Sequence, residues 1–181
     1  MDWRRVEIGP RRIRLAGPGT AVTLNGIAQG YAADRVRDVL LSRGVRHALV
    51  NTGEFGSLGR NADGNAWTVG IQHPRQPDAY LALTRLDGRF LSTSGDYATA
   101  FSPDFLHHHI FDPRTGLSPV EFSSVTILAR TGMESDALTK VLFVLGVEKG
   151  LDQIRAVPGA DALCLLKDGR RVSTAGFPRI S

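Results

Sequence analysis

Apolar residues recur at roughly helical spacing between residues 26 and 43, which predicts a first α-helix. The apolar positions on this face are Ile27, Tyr31, Val36, Val39 and Leu40. Asn25 is a predicted N-cap, because its side chain can accept a backbone N–H. Gly44 is the predicted residue after the helix, where glycine is favoured.

A second helix is predicted over about residues 134–145, and Gly146 is expected to end it. The residues expected to face inward are Ala137, Val141, Leu142 and Leu145. Residues 148–156 predict a short further helix.

Short apolar runs elsewhere predict β-strands. They cover residues 12–15, 48–50, 67–71, 80–85, 89–92, 122–129, 162–166 and 170–173, with a further extended segment around Ile110. Asp87-Gly88 and residues 167–170 are predicted hairpin turns, and residues 53–59 a glycine-spaced loop. The pattern therefore predicts an α+β fold with a mainly antiparallel sheet and two main helices.

Composition and charge narrow the class of protein. The 181 residues are 42% hydrophobic and 22% charged, with a net charge of +4, which predicts one soluble domain over residues 1–181. An arginine cluster within residues 4–14 could bind an anionic partner, but a solvated basic strand is the favoured interpretation. No basic stripe interleaved with aromatic residues is present, so no nucleic-acid partner is predicted.

Two further features concern the cellular context. Cys164 lies in the apolar run 162–166, so we expect it to be buried, and a lone cysteine forms no disulfide within the chain. No segment resembles a secretory leader or a transmembrane span. As it stands the chain is expected to be cytoplasmic or to have lost a leader.

The densest candidate for chemistry is a hydroxyl- and glycine-rich segment followed by three histidines. Residues 92–97 read S-T-S-G-D-Y, and residues 107–116 read H-H-H-I-F-D-P-R-T-G. Small residues permit close backbone approach to a ligand. Asp112 and Thr115 are expected to fix the turn rather than react.

These segments, with three others, resemble the ApbE-type FAD:protein FMN transferases. Three further segments are similar to motifs of that family and occur in the right order. They are L-N-G-I-A-Q-G-Y-A-A-D at 24–34, N-T-G-E at 51–54, and the stretch from S-V-T at 124 through M-E-S-D-A-L at 133–138. The resemblance covers about residues 22–150 and implies the C-terminal part of the ApbE-like fold. Because it lacks the family's usual N-terminal half, we expect a fragment, a truncated paralogue, or a pocket completed by a separate piece or by an oligomer.

The resemblance implies magnesium-dependent transfer of FMN from FAD to a Thr or Ser of an acceptor protein, with release of AMP. The alternative is a catalytically degenerate flavin-binding or interaction module of the same fold. Four departures from the family pattern support that alternative: Thr23, Gln29, Glu54 and Lys140. Family members are often periplasmic and membrane-anchored.

The magnesium ligands implied by the resemblance are Asp136, the backbone carbonyl of Gly26, and Thr139. Lys140 stands where the family commonly has a threonine ligand, so either Thr139 substitutes for that ligand or the Lys140 ammonium partly replaces the metal by binding phosphate as a point charge. Taken alone, Asp136 could instead stabilise the first helical turn through the dipole, and Gly26 could simply open a helix.

The resemblance also places the catalytic base in the His108-His109 pair. Neighbouring residues of extended backbone face opposite ways, so at most one imidazole points into a pocket, and we assign His109. A surface run of histidines or an adventitious transition-metal site are the alternatives. The implied flavin-binding residues are Thr23, Gln29, Thr93, Ser94, Gly95 and Ile110.

Overall fold

A computed structural model of the chain describes residues 3–180; Met1, Asp2 and Ser181 of the predicted domain lie outside the described residues. The helices are α1 (Ala28–Ser42), α2 (Gly132–Leu145) and α3 (Val147–Ala156), preceded by a 3₁₀ turn at Trp3–Arg5. The strands are β1 (Val6–Gly9), β2 (Arg12–Leu15), β3 (Ala48–Asn51), β4 (Phe55–Leu58), β5 (Trp67–His73), β6 (Gln76–Leu86), β7 (Phe90–Gly95), β8 (Phe122–Ala129), β9 (Asp161–Leu166), β10 (Arg171–Ser173) and β11 (Arg179–Ile180).

The strands form two main sheets and a separate hairpin. A six-stranded sheet has the order β10-β9-β8-β7-β4-β3, a three-stranded sheet has the order β11-β6-β5, and β1 pairs with β2. The pairings are antiparallel. The predicted α+β class with a mainly antiparallel sheet is confirmed.

Strand β8 is covered on both faces, and all eight of its residues are buried. On one face Val125 and Ile127 pack with Leu142 and Phe143 of α2. On the other face Leu128 joins the apolar side chains of the three-stranded sheet. Burying each such side chain contributes about 1.5–3 kcal/mol, so this sandwich holds the end of β7, beside β8, in a fixed position.

Helix α1 differs from its prediction in two respects. Its N-cap position is Ile27, which provides no side-chain cap, while Asn25 lies in the preceding turn. The predicted apolar face is also wrong, since Tyr31 and Val39 are 52% and 58% exposed. The helix instead buries small residues against α2, as described below. Gly44 has φ of +81° and closes the helix as predicted.

Several other local predictions need correction. β6 and β7 belong to different sheets, so Asp87-Gly88 is a sheet-to-sheet connection and not a hairpin turn. Gly56 lies within β4, so the predicted glycine-spaced loop at 53–59 is wrong over residues 55–58. The segment around Ile110 forms no strand, only an isolated bridge between Ala100 and His108. In α2, Val141 points outward because Asp136 and Thr139, two polar residues, occupy the buried face. No strand with its own bounds is predicted at β1 or β11, although the Arg-rich segment at 4–14 is interpreted as a basic strand.

Three predictions of local structure are confirmed. β9 and β10 form the predicted hairpin, with Gly169 at φ of +86°. Gly146 ends α2 at φ of +80°. Cys164 is buried. None of the helices within residues 3–180 combines the length and the hydrophobicity that a membrane-spanning segment requires.

Candidate functional site

A cavity of about 460 Å³ lies between the turn before α1, the end of β7, the loop after His108 and the second half of α2. Eight of the eleven predicted site residues line it: Thr23, Gly26, Gln29, Thr93, Ser94, Gly95, His109 and Ile110. The remaining three, His108, Asp136 and Thr139, are completely buried behind or beside it. Four separate sequence motifs therefore meet at one cavity.

The two helices beside the cavity cross at a pair of glycines. A Cβ atom on Gly30 would lie 2.1 Å from the carbonyl oxygen of Gly132, and one on Gly132 would lie 2.3 Å from that of Gly30. Only glycine permits this approach. The close crossing brings each helix start within reach of a side chain of the other helix.

Each helix supplies a carboxylate to the first turn of its neighbour. Asp34 of α1 accepts hydrogen bonds from the backbone N–H groups of Gly132 (2.8 Å) and Met133 (3.0 Å). In return, Asp136 of α2 accepts one from Gly30 N–H through Oδ2 at 3.0 Å. Carboxylates at helix starts satisfy unpaired N–H groups and complement the helix dipole. Asp136 therefore does stabilise a helix start, but that of α1 and not its own.

The second oxygen of Asp136 is paired with a cation from its own helix. Its Oδ1 accepts a hydrogen bond from the ammonium of Lys140, one turn further along α2. The Asp136 side chain is fully buried, whereas that of Lys140 is 30% exposed and lines the cavity. The ion pair thus places the positive charge of Lys140 at the cavity wall, while the Asp136 carboxylate stays buried.

Buried hydroxyl pairs fix α2 against β7. The Thr139 hydroxyl donates to the Asp136 carbonyl at 2.7 Å and also lies 2.7 Å from the Ser94 hydroxyl, which therefore donates to it. Ser92 and Ser135 form a similar pair at 2.7 Å. These contacts hold Ser94 at the cavity edge and occupy the Thr139 hydroxyl.

The two candidate histidines occupy different environments. His109 is exposed and lines the cavity. His108 is fully buried against Phe143; its Nε2 bonds the Pro119 carbonyl at 3.0 Å, and its Nδ1 accepts Ile110 N–H at 3.4 Å. Burial lowers the pKa of His108. Since both ring nitrogens are engaged, the position of His108 supports a structural role, and of the two histidines only His109 lines the cavity.

Glu54 is a cavity residue that sequence reasoning identified only as a departure from a motif. It is 5% exposed, and its Oε2 has no hydrogen-bond partner among the described residues. Desolvation by burial raises the pKa of Glu54 from 4.5 to about 7; the Ser92 hydroxyl opposes this shift, and the nearby Asp136 charge adds to it. No pattern in the sequence signals this burial, which depends on the packing of β4 beside β7.

Asp96 anchors the S-T-S-G-D-Y segment, a role that the motif itself does not indicate. This fully buried carboxylate accepts two hydrogen bonds from Arg75, at 2.8 and 2.7 Å, and lies 3.2 Å from the Lys167 ammonium. The Arg75 guanidinium also stacks 4.0 Å from the centre of the Phe105 ring. A bidentate arginine pair of this kind is geometrically specific, so it fixes the chain directly after Gly95.

The residues present do not fit an open magnesium site. Mg²⁺ prefers oxygen ligands in near-octahedral geometry, but both oxygens of Asp136 are already bonded, one of them to an ammonium. The Thr139 hydroxyl is engaged as well. Within residues 3–180, no group of three or more His, Cys, Asp or Glu side chains could hold a metal ion. The magnesium ligand set Asp136, Thr139 and Gly26 stays a prediction that these contacts do not favour.

A second cavity, of about 620 Å³, adjoins the first and shares Glu54 and Thr93 with it. Its far wall is the β5–β6 hairpin, where the ring of Tyr80 covers Gly70 so closely that a Cβ there would lie 2.4 Å from it. Among the described residues that line the two cavities, Lys140 has the only Lys or Arg side chain. The arrangement can therefore accept an elongated ligand with an anionic centre.

Comparison with known proteins places this geometry in a family. The model of the ApbE family matches residues 1–164. The chain is 38% identical to an FAD:protein FMN transferase of Klebsiella pneumoniae (strain 342), over 85% of this chain and 48% of that protein. It is 34% identical to one of Treponema pallidum (strain Nichols), over 97% and 54% of the two chains. The chain thus spans about half the length of these curated relatives.

Solved structures agree with the sequence comparisons. The ApbE protein of Thermotoga maritima superposes with a TM-score of 0.86 at 30% identity, covering 99% of this chain and 60% of that one. The flavin transferase ApbE of Vibrio cholerae superposes with a TM-score of 0.81 at 28% identity, covering 96% and 57%. With the predicted motifs gathered around one cavity and a family model that matches most of its length, this chain belongs to the ApbE family.

Proposed function

We propose that this chain takes part in transferring FMN from FAD to a Thr or Ser hydroxyl of an acceptor protein. The observation that carries the proposal is the convergence of residues from separate motifs on one cavity, with Lys140 and His109 both in its wall. The relatives named FAD:protein FMN transferase support the same reaction.

The cavity residues suit the parts of FAD. The apolar wall is formed by Ile110, Phe111 and Val144. Polar groups come from Thr23, Gln29, Thr93 and Ser94. FAD consists of two ring systems joined by a diphosphate, and the two adjoining cavities meet near Glu54 and Thr93. We assign the diphosphate to the Lys140 side of this junction, because an ammonium binds phosphate oxygens through charge-assisted hydrogen bonds.

In the proposed reaction His109 acts as general base. The acceptor hydroxyl oxygen attacks the phosphorus on the FMN side of the diphosphate, while its proton passes to the His109 imidazole. The bond from that phosphorus to the bridging oxygen breaks, and AMP leaves with the bridging oxygen and its electron pair. The products are AMP and FMN joined to the acceptor by a phosphoester. Because the residues do not fit a magnesium site, no step is assigned to Mg²⁺.

A catalytically degenerate flavin-binding or interaction module is the second candidate. The observation that favours it is the Lys140–Asp136 ion pair at the predicted metal position. In that case the cavity would bind flavin, but the chain would not cleave the diphosphate.

The test is to incubate the full chain with FAD and an acceptor protein carrying a flavinylation motif, and to measure AMP and covalently bound flavin. Replacing His109 with Gln should lower the rate about 100-fold or more, the usual contribution of a general base, while FAD binding is retained. His107→Gln is the matched control, since His107 is exposed but does not line the cavity. Equal rates for the two variants would exclude His109 as the base. FAD binding without any AMP release would favour the degenerate module.

A further inference from the structure

We propose that the Lys140 ammonium, held on Asp136, occupies the place of a divalent cation, so that this chain binds the FAD diphosphate without Mg²⁺. The inference rests on the proposed function, because it names the group that meets the diphosphate. It begins from the observation that a carboxylate and an ammonium of α2 are bonded at the cavity wall.

Both oxygens of the Asp136 carboxylate already have a partner within the protein. Asp136 Oδ2 receives the Gly30 N–H at 3.0 Å, and Oδ1 receives the Lys140 ammonium. The Gly30 contact lies at the close crossing of α1 and α2, where a Cβ on either glycine would collide with the other helix. A divalent ion at Oδ1 would therefore have to compete with the ammonium that the fully buried carboxylate already holds.

The ammonium is also placed to bind phosphate. Lysine has three N–H donors, and only one is used by Asp136, so two remain for oxygens in the cavity. Its side chain is 30% exposed, whereas that of Asp136 is fully buried. The pair thus presents a donor to the ligand and shields the carboxylate, which would otherwise repel a diphosphate.

Neighbouring residues do not provide another cation for this position. Within residues 3–180, Lys140 is the only Lys or Arg that lines the two adjoining cavities. Lys167 and Arg75 are committed to the buried Asp96. Removing the Lys140 charge should therefore remove most of the electrostatic attraction for the diphosphate.

The experiment measures FAD binding by quenching of flavin fluorescence, with the full chain in EDTA and then in excess Mg²⁺. The unaltered chain should bind FAD with the same Kd in both, within about twofold. Lys140→Thr should weaken binding in EDTA about tenfold, the effect of losing one charge-assisted hydrogen bond, and Mg²⁺ should restore it. Lys140→Gln, which keeps a donor to Asp136 without the charge, should weaken binding in EDTA by a similar factor. Lys149→Thr is the control, because Lys149 is exposed on α3 and lines neither of these cavities.

A second readout needs no flavin. Mn²⁺ binding, followed by electron paramagnetic resonance, should be absent in the unaltered chain and reach one ion per chain in Lys140→Thr. FAD binding that requires Mg²⁺, or Mn²⁺ binding by the unaltered chain, would overturn the inference and leave the proposed function standing. If FAD bound under no condition, the proposed function would fail, and the Mn²⁺ result would still decide whether Lys140 excludes the ion.

Discussion

Replacing Glu54 with Gln tests whether this buried carboxyl group makes folding stability depend on pH near neutrality. Burial raises the pKa of Glu54 from 4.5 to about 7 in the folded chain. Between these values the folded state holds a proton that the unfolded state has released. Stability should therefore fall as the pH rises from 4.5 to 7 and level off above 7. Gln is nearly isosteric and does not titrate.

The size of the effect follows from the shift. Each unit of pKa difference corresponds to 1.36 kcal/mol, so a shift of about 2.5 units costs the folded chain about 3 kcal/mol once Glu54 is ionised. The assay is urea unfolding at pH 5, 6, 7 and 8.5, comparing the free energy of unfolding of the original chain with that of Glu54→Gln. Relative to the variant, the original chain should lose about 1 kcal/mol per pH unit up to pH 7.

The control is Glu7→Gln, because Glu7 is exposed on β1 and its contact with Arg14 is 3.5 Å long. Exposed pairs of this kind contribute little, so its difference from the original chain should not vary between pH 5 and 8.5. If the difference for Glu54→Gln were equally flat, burial would not be raising the pKa of Glu54, and the reasoning would be refuted.

Two other predictions concern packing. Gly30→Ala should lower the free energy of unfolding by about 3 kcal/mol, a cost typical of overpacking, because its Cβ would collide with Gly132. Gly26→Ala is the control, since no atom lies within 4 Å of the added Cβ. It should change the free energy of unfolding little in the same urea titration. Cys164, whose pKa is raised to about 12 by burial, should react with iodoacetamide about 1000-fold more slowly in the folded chain than in urea at pH 8, since the thiolate is the nucleophile. Mass spectrometry over time measures the rate, and equal rates would contradict its burial.

Much of the fold could be predicted because local pattern and tertiary packing agree over β8, the β9–β10 hairpin and α2. The errors arise where packing overrides pattern. The apolar residues of α1 predict a face through Tyr31 and Val39, yet the buried face is built from Gly30, Ala33 and Asp34. A glycine crossing between helices depends on the second helix, which lies about a hundred residues away, so periodicity within α1 cannot reveal it.

The candidate site could likewise be predicted only in part from the sequence. The motifs identify the segments that meet at the cavity, since eight predicted residues line it. They do not determine which side chains face it. His108 and His109 are adjacent in a motif, but one is buried against Phe143 and the other is exposed. The burial of Glu54, and the engagement of both Asp136 oxygens, depend on contacts between distant segments.

The two interpretations of Asp136 that the sequence leaves open are compatible in the structure. One oxygen of its carboxylate binds the first turn of α1, as expected of a group that stabilises a helix start. The other oxygen holds Lys140 at the cavity wall. A substitution at Asp136 would therefore disturb the α1–α2 crossing and the ligand-facing charge together, so loss of activity in such a variant could not be attributed to either. Substitutions at Lys140 leave the Gly30 contact in place, and for that reason they separate the chemistry of this site from its architecture.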